Sequence, residues 1–143
     1  MPLNLSHLLF HNAHLITPTA DPNPGWLLTE GKTIHSFGSG QPPDFDLGPI
    51  TRTIDCHGMV LLPGFIDLHV HGAAGHEVMD ASPEKLADMA RFYARHGVTG
   101  FLATTWTAGH FETLNALRAV RVQMGQQAEN EARSWEFTWK ALT

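Results

Sequence analysis

Two histidines and an aspartate occupy alternate positions of one apolar segment: Asp67, His69 and His71. Successive side chains of a β-strand point to opposite faces, so these three share one face of a buried strand and the apolar residues between them share the other. Neutral imidazole is a common ligand for Zn, Fe, Ni and Cu, so we predict His69 and His71 as metal ligands. Asp67 lies deeper on the same face. We interpret its carboxylate as a hydrogen-bond acceptor that supports the N–H of a metal-binding histidine without touching the metal, with a purely structural role as the alternative.

The sequence around the histidines makes their spacing informative. With 10 histidines in 143 residues, about 0.7 His-x-His pairs are expected by chance, so the spacing alone predicts little. Here Pro63-Gly64 precedes the strand, and a turn containing Gly72 and Gly75 follows it. Glycine allows the backbone to turn sharply without a Cβ clash, as a site at the end of a strand requires.

Composition restricts the class of protein. The chain has 143 residues, with 14 acidic against 9 basic side chains, and 43% of its residues are hydrophobic. This composition is typical of a globular protein, and no basic run suggests nucleic acid or an anionic membrane as a partner. The length suits one ordinary domain and is too short for a complete (β/α)₈ barrel of about 250 residues.

The only cysteine is Cys56. One cysteine excludes an intrachain disulfide and favours a reducing compartment, and we interpret its side chain as a small buried one rather than a nucleophile. Residues 1–10 lack a basic region followed by a long apolar core, so no signal peptide or membrane span is expected. We predict a cytoplasmic location.

Residues 1–62 read as short strands separated by turn residues. We predict strands over 8–16 and 51–55, and a hairpin over 26–37 that bends at 30–32. Together these strands predict part of a small β-sandwich domain.

Residues 63–125 alternate between strand and helix, which is the pattern of βα units in a parallel sheet. Ser82-Pro83 predicts the start of a first helix, and Gly97 follows its end. A second strand over 98–105 ends with Thr104 and Thr105 at the predicted catalytic face, although threonine is also an ordinary strand residue. Helical periodicity predicts two buried faces, which comprise Leu86, Met89, Ala90 and Tyr93 in the first helix and Phe111, Leu114, Leu117, Val120 and Met124 in the second.

Two longer segments carry a family resemblance. They are PGFIDLHVHGAAGHEVMD at 63–80 and HGVTGFLATTWT at 96–107. The sequence from about Leu8 to Gly125 resembles the N-acetylglucosamine-6-phosphate deacetylases of the amidohydrolase superfamily. The resemblance implies an α/β chain that holds the first two βα units of a (β/α)₈ barrel, preceded by part of the β-sandwich and incomplete. Dihydroorotases and dihydropyrimidinases share the Pro-Gly-Phe-Ile-Asp-x-His-x-His pattern, so a cyclic-amide hydrolase is the alternative.

The resemblance also implies a chemistry. A divalent metal, zinc or else iron or another ion, would lower the pKa of the attacking water. The family's general-base aspartate lies beyond the end of this chain. The substrate would be the amino-sugar phosphate N-acetylglucosamine 6-phosphate, the products acetate and glucosamine 6-phosphate, and the intact enzyme a homodimer. No residue of this chain is assigned to substrate binding.

Residues 126–143 match no part of the family. The residues from Trp135 to Thr143 can be written back as codons. When the reading frame is displaced by two nucleotides and suitable synonymous codons are chosen, these codons encode Gly-Val-His-Leu-Glu-Gly-Pro-Tyr. This peptide contains the metal-ligand motif of the family that is otherwise missing from the chain. Its first Gly is forced by Trp135 with Glu136, and its Glu by Trp139 with Lys140. We therefore predict an out-of-frame tail after a shift between about Gly125 and Glu131, and a truncated, inactive chain. A non-catalytic remnant is the remaining alternative.

Overall fold

The computed structural model describes residues 7–45 and 52–137, and the side chains up to Ser134 in the second range. Contacts divide the chain into two units, Met1–Pro63 and Gly64–Thr143. Neither helix within the described ranges has the length and apolar character needed to cross a bilayer.

The first unit is a β-sheet. Its strands are β1 (His7–Leu15), β2 (Gly25–Glu30), β3 (Thr33–Ser39), β4 (Arg52–Asp55) and β5 (Val60–Leu61). The order is β3-β2-β1-β4, in which β2 is antiparallel to β1 and β3, β4 is parallel to β1, and β5 also pairs with β1. The hairpin β2–β3 and the first strand are where the sequence predicts them. The described residues of this unit form one sheet, so the two-layer sandwich stays a prediction.

The sheet of the first unit buries a small apolar cluster. Alternate residues of β1, Leu9 and Ala13 among them, are buried, as the two-residue period of a strand requires. Leu9 packs with Trp26 and Leu28. Cys56 is 7% exposed, which agrees with a small buried side chain, and this burial raises the pKa of its thiol.

The second unit alternates strands and helices. After β6 (Phe65–Val70) come β7 (Gly72–Ala73) and β8 (His76–Glu77), a 3₁₀ turn (Val78–Asp80), α1 (Pro83–Arg95), β9 (Val98–Thr104), α2 (His110–Gln126) and β10 (Arg133–Phe137). The order β10-β9-β6 makes a parallel sheet. Parallel strands place their carboxyl ends at one edge, which is where β6 carries its histidines.

The first helix forms as the sequence predicts. The Ser82 hydroxyl accepts the main-chain N–H of Lys85, Pro83 is the first helical residue, and Gly97 has φ +80° just after the helix. The predicted face is buried in the core of this unit, through Leu86, Met89, Ala90 and Tyr93.

The second helix buries a face that shares only Val120 with the predicted one. Its buried residues are Ala116, Ala119, Val120 and Gln123. Phe111 and Met124, which the periodicity placed in the core, are 78% and 38% exposed, so that prediction is wrong for both. Apolar residues lie around much of this helix, and small side chains allow the closest approach to α1 and β10.

The strand that carries the histidines is not fully buried. In β6, Val70 is 4% exposed, but Ile66 and Leu68 are 57% and 65% exposed. Within the described residues β6 pairs only with β9 and thus lies at the edge of its sheet. The prediction of a buried strand is therefore corrected.

The segment that follows α2 contains a strand that the sequence analysis did not identify. Residues 133–137 form β10, whose register pairs Arg133 with Gly100 and Phe137 with Thr104. The main-chain N–H of Ala132 donates to the carbonyl of Ala90 at 3.1 Å, and Ala132 is buried. The predicted tail 126–143 thus begins with residues that are packed against α1 and β9.

Candidate metal centre

The imidazoles of His69 and His71 face each other at the carboxyl end of β6. Their Nε2 atoms are 3.0 Å apart, and the ring centroids are 4.8 Å apart with the planes at 82°. The common face follows from the two-residue period of the strand, as predicted. The 3.0 Å separation is a hydrogen-bond distance between the two rings, and it places both nitrogens where they could bind one divalent cation in place of that contact.

The proton position on His71 is determined by its other nitrogen. Nδ1 of His71 lies 3.0 Å from the carbonyl oxygen of Thr104. A carbonyl oxygen only accepts hydrogen bonds, so Nδ1 carries the proton in the neutral ring. Nε2 of His71 is then left with a lone pair directed towards His69, which is the state that a metal ligand needs.

Thr104 connects the second strand to the histidine strand. Its hydroxyl accepts the main-chain N–H of Val70 at 3.2 Å and donates to the carbonyl of Leu102 at 3.0 Å. The residue is fully buried. Thr104 therefore ties the backbone at Val70, the residue before His71, to the second strand, and its carbonyl orients the ring.

Asp67 lies on the predicted face but contacts the main chain. Its Oδ1 accepts the N–H of the His69 backbone at 3.1 Å. This contact differs from the predicted support of an imidazole N–H, because the carboxylate lies two residues before His69 and reaches the peptide rather than the ring. Asp67 also contributes, after burial, to the raised pKa of Tyr93. It stabilises the start of the ligand-bearing segment.

The turn after His71 is tight. A Cβ on Gly72 would lie 2.4 Å from the carbonyl oxygen of His76, and Gly75 has φ +80°, so both positions require glycine, as predicted. The Tyr93 hydroxyl donates to the carbonyl of Gly72 at 2.9 Å. His76 itself is directed to Asp88, 3.6 Å away, on the first helix.

The donor set is partial. Residues 7–45 and 52–137 contain no group of three or more His, Cys, Asp or Glu side chains arranged to hold a metal. His69 and His71 fit two positions of a hydrolytic metal site, which typically takes three protein ligands and a water. The sequence analysis did not single out Trp106, whose ring centroid lies 5.9 Å from that of His71. Its position directly after the second strand was the signal that could have identified it.

Known proteins match the part of the chain that contains the two histidines. Residues 52–132, more than half of the chain, match the family model described as "Amidohydrolase family". The chain is 56% identical over 76 residues to N-acetylglucosamine-6-phosphate deacetylase of Vibrio furnissii and 48% identical over 112 residues to that of Bacillus subtilis, covering 52% and 77% of this chain. A dihydroorotase of Wolbachia is 43% identical over 45% of this chain.

The fold agrees with these relatives. The structure of N-acetylglucosamine-6-phosphate deacetylase from Pasteurella multocida superposes with a TM-score of 0.74 at 26% identity, covering 88% of this chain and 32% of that one. This chain spans 17% and 27% of the lengths of the Vibrio and Bacillus relatives. The match over residues 52–132 includes both histidines, and we conclude that the chain belongs to the amidohydrolase family.

Proposed function

We propose that this chain corresponds to the amino-terminal portion of an N-acetylglucosamine-6-phosphate deacetylase, which hydrolyses the acetamide of the sugar to an amine and acetate. The observation that carries the proposal is the pair of Nε2 atoms of His69 and His71, 3.0 Å apart at the end of β6. The identity of 48% over 112 residues to a deacetylase supports it beyond the histidines. The dihydroorotase match covers 45% of the chain and favours the cyclic-amide alternative less.

In this proposal the two units are pieces of larger domains. The first unit supplies part of a β-sandwich, and β6–α1 and β9–α2 are the first two βα units of a (β/α)₈ barrel. Active sites of such barrels lie at the carboxyl ends of the strands, which is where His69 and His71 lie. Closing the barrel requires strands that these residues do not supply.

The chain's own residues hold and orient ligands. His69 and His71 would bind a divalent ion, zinc in the first instance, which supplies a water of lowered pKa when bound. Thr104 holds the proton on Nδ1 of His71 through its carbonyl, so that Nε2 keeps its lone pair. The general-base aspartate and further ligands of the proposed enzyme are outside this chain.

We also propose a position for the change of reading frame. The Glu131 carboxylate accepts Arg91 at 2.6 Å and Gln123 at 3.0 Å, and Ser134 is buried with hydrogen bonds to Gln123 and Gln127. Such specific contacts favour residues up to Ser134 as part of the original fold. The shift therefore belongs at Ser134–Trp135 rather than between about Gly125 and Glu131.

Sequencing the DNA from the codon of Met124 onwards tests the frame. The expected result is a Gly-Val-His-Leu-Glu-Gly-Pro reading in a displaced frame that begins at the codon of Trp135. A tail with no such reading in either displaced frame contradicts the proposal. If neither displaced frame carries the glutamate motif, a lysine at the metal-ligand position of the continued gene favours the cyclic-amide hydrolase.

Activity is tested on two chains. The present 143 residues, loaded with Zn²⁺, are expected to release no acetate from N-acetylglucosamine 6-phosphate, and the product of the continued frame is expected to release it. The same product with His71→Ala is expected to lose turnover together with bound zinc. Opening of dihydroorotate without acetate release by the continued product contradicts the deacetylase assignment.

A further inference from the structure

Trp106 is an exposed aromatic residue immediately beyond the carboxyl end of β9. The two preceding residues, Thr104 and Thr105, are 0% and 3% exposed, whereas Trp106 is 41% exposed. The chain thus leaves the core within one residue and places a large indole at the edge of the sheet where the histidines lie. Exposing an indole has a cost in free energy, because its apolar surface gains from burial.

The indole contacts the candidate metal centre. Its centroid lies 5.9 Å from that of the His71 ring, with the planes at 45°. The other large exposed aromatic residues in the described part of this unit, Phe65, Phe92 and Phe111, make no ring contact with either histidine of the pair. Trp106 is therefore the aromatic side chain next to His71 within the described residues.

We propose that Trp106 is a substrate-binding residue whose indole packs against the pyranose ring of an N-acetylated amino-sugar phosphate, beside the metal held by His69 and His71. This inference rests on the proposed function. A pyranose has C–H groups on its faces and hydroxyls around its edge, so an aromatic face covers the apolar part and leaves the polar groups free. Binding sites combine such apolar walls with a few polar groups or a metal that fix orientation.

The position of the indole gives it a role in specificity. An acetamide next to the metal places the sugar ring to which it is attached within a few ångströms of His71, where the indole lies. In a cyclic amide the scissile bond is itself part of the ring, so that ring lies at the metal and carries no second ring beside it for the indole to cover. Trp106 therefore favours the amino sugar over a cyclic amide at this site.

The full 143-residue chain, labelled with ¹⁵N, provides the test by NMR. Trp106→Phe identifies the indole N–H signal of Trp106 among the four tryptophans of the chain. Zn²⁺ is added first, followed by N-acetylglucosamine 6-phosphate, with dihydroorotate as the comparison probe. We expect Zn²⁺ to shift the ring signals of His69 and His71, and the sugar phosphate, but not dihydroorotate, to shift the Trp106 indole.

Affinity variants complete the test. Trp106→Ala is expected to weaken sugar-phosphate binding about tenfold, which corresponds to about 1.4 kcal/mol. Trp106→Phe is expected to weaken it about threefold or less, because an aromatic ring is retained. Phe111→Ala, which removes an aromatic ring that is 78% exposed, serves as the matched control and is expected to leave binding unchanged.

The outcomes separate the two proposals. Absence of any Zn²⁺ shift at His69 and His71 contradicts the metal-ligand role of this pair, and with it the observation that carries the proposed function. If Zn²⁺ binds, three results overturn the stacking inference and leave the metal centre unaffected. They are an indole signal of Trp106 that does not shift, equal sugar-phosphate affinity in Trp106→Ala and the parent chain, and no sugar-phosphate binding at all.

Discussion

The Thr104 hydroxyl accepts the main-chain N–H of Val70 at 3.2 Å, across the point where the register of β6 and β9 is irregular. Between Asp67 and Val70 the regular ladder is interrupted, and this side chain replaces a main-chain partner there. Val70 lies between the two histidines in the sequence, so this hydrogen bond fixes the peptide that joins His69 to Val70. A side-chain hydroxyl thus supplies the hydrogen bond that a main-chain carbonyl would supply in a regular ladder, at the position of the candidate ligands.

Thr104→Val is expected to destabilise the chain by about 1–3 kcal/mol, because it leaves the buried N–H of Val70 without its acceptor. Thr104→Ser keeps the hydroxyl and serves as the matched control. Urea unfolding measures both variants. Zinc affinity, measured by competition with a chelator, is expected to fall about tenfold or more in Thr104→Val, because groups that support ligands affect affinity on that scale. Equal stability of the valine and serine variants would contradict this role.

Glu131→Gln is expected to lower the free energy of unfolding by about 1.5–3 kcal/mol. The carboxylate side chain is 4% exposed and accepts the Arg91 guanidinium at 2.6 Å, so the substitution removes a charge-assisted hydrogen bond from a buried position. Asp44→Asn removes the same charge from an exposed position and is the control. If both variants unfold at the same urea concentration, the proposed frame change after Ser134 loses its support.

The pKa of Tyr93 gives the chain a sensitivity to alkali. Burial, and next the charge of Asp67, raise the pKa of Tyr93 to about 12. The unfolded tyrosine ionises near pH 10, so its contribution to stability is complete below about pH 10 and is lost as the pH rises towards 12. Tyr93→Phe is expected to flatten this loss and to cost about 1 kcal/mol at pH 7, because the bond to the Gly72 carbonyl is absent. Thermal unfolding at a series of pH values checks it.

Asp80 gives a sensitivity to acid. The N–H of Glu77, and next Lys85, hold the pKa of the Asp80 carboxyl below its ordinary value. A lowered folded-state pKa stabilises the fold above the unfolded value and this contribution disappears as the pH falls below about 4. Asp80→Asn is expected to reduce the slope of the unfolding midpoint between about pH 5 and pH 2. An unchanged slope would show that the 3₁₀ turn is held by other contacts.

The sequence predicts the elements whose signals are local. Ser82-Pro83, Gly97 and the stripe that includes Leu86 and Tyr93 determine α1 within the chain itself. The alternation Asp67, His69 and His71 likewise predicts a common face, because the period of a strand requires it.

The remaining features depend on tertiary contacts. Which stripe of α2 is buried depends on α1 and β10, and the periodicity of this helix allows more than one apolar face. The proton position on His71 depends on a carbonyl 33 residues away in sequence. The alternation of Trp135 and Phe137 is too short a signal to predict β10, which is placed by its pairing with β9.

The exposed side of β6 also affects how the chain associates with other molecules. Ile66 and Leu68 project from a strand that has one neighbour among the described residues, so its other side presents main-chain donors and acceptors together with apolar side chains. Strands of this kind recruit further strands from other molecules. Aggregation of this chain is therefore expected to begin at the edge formed by β6.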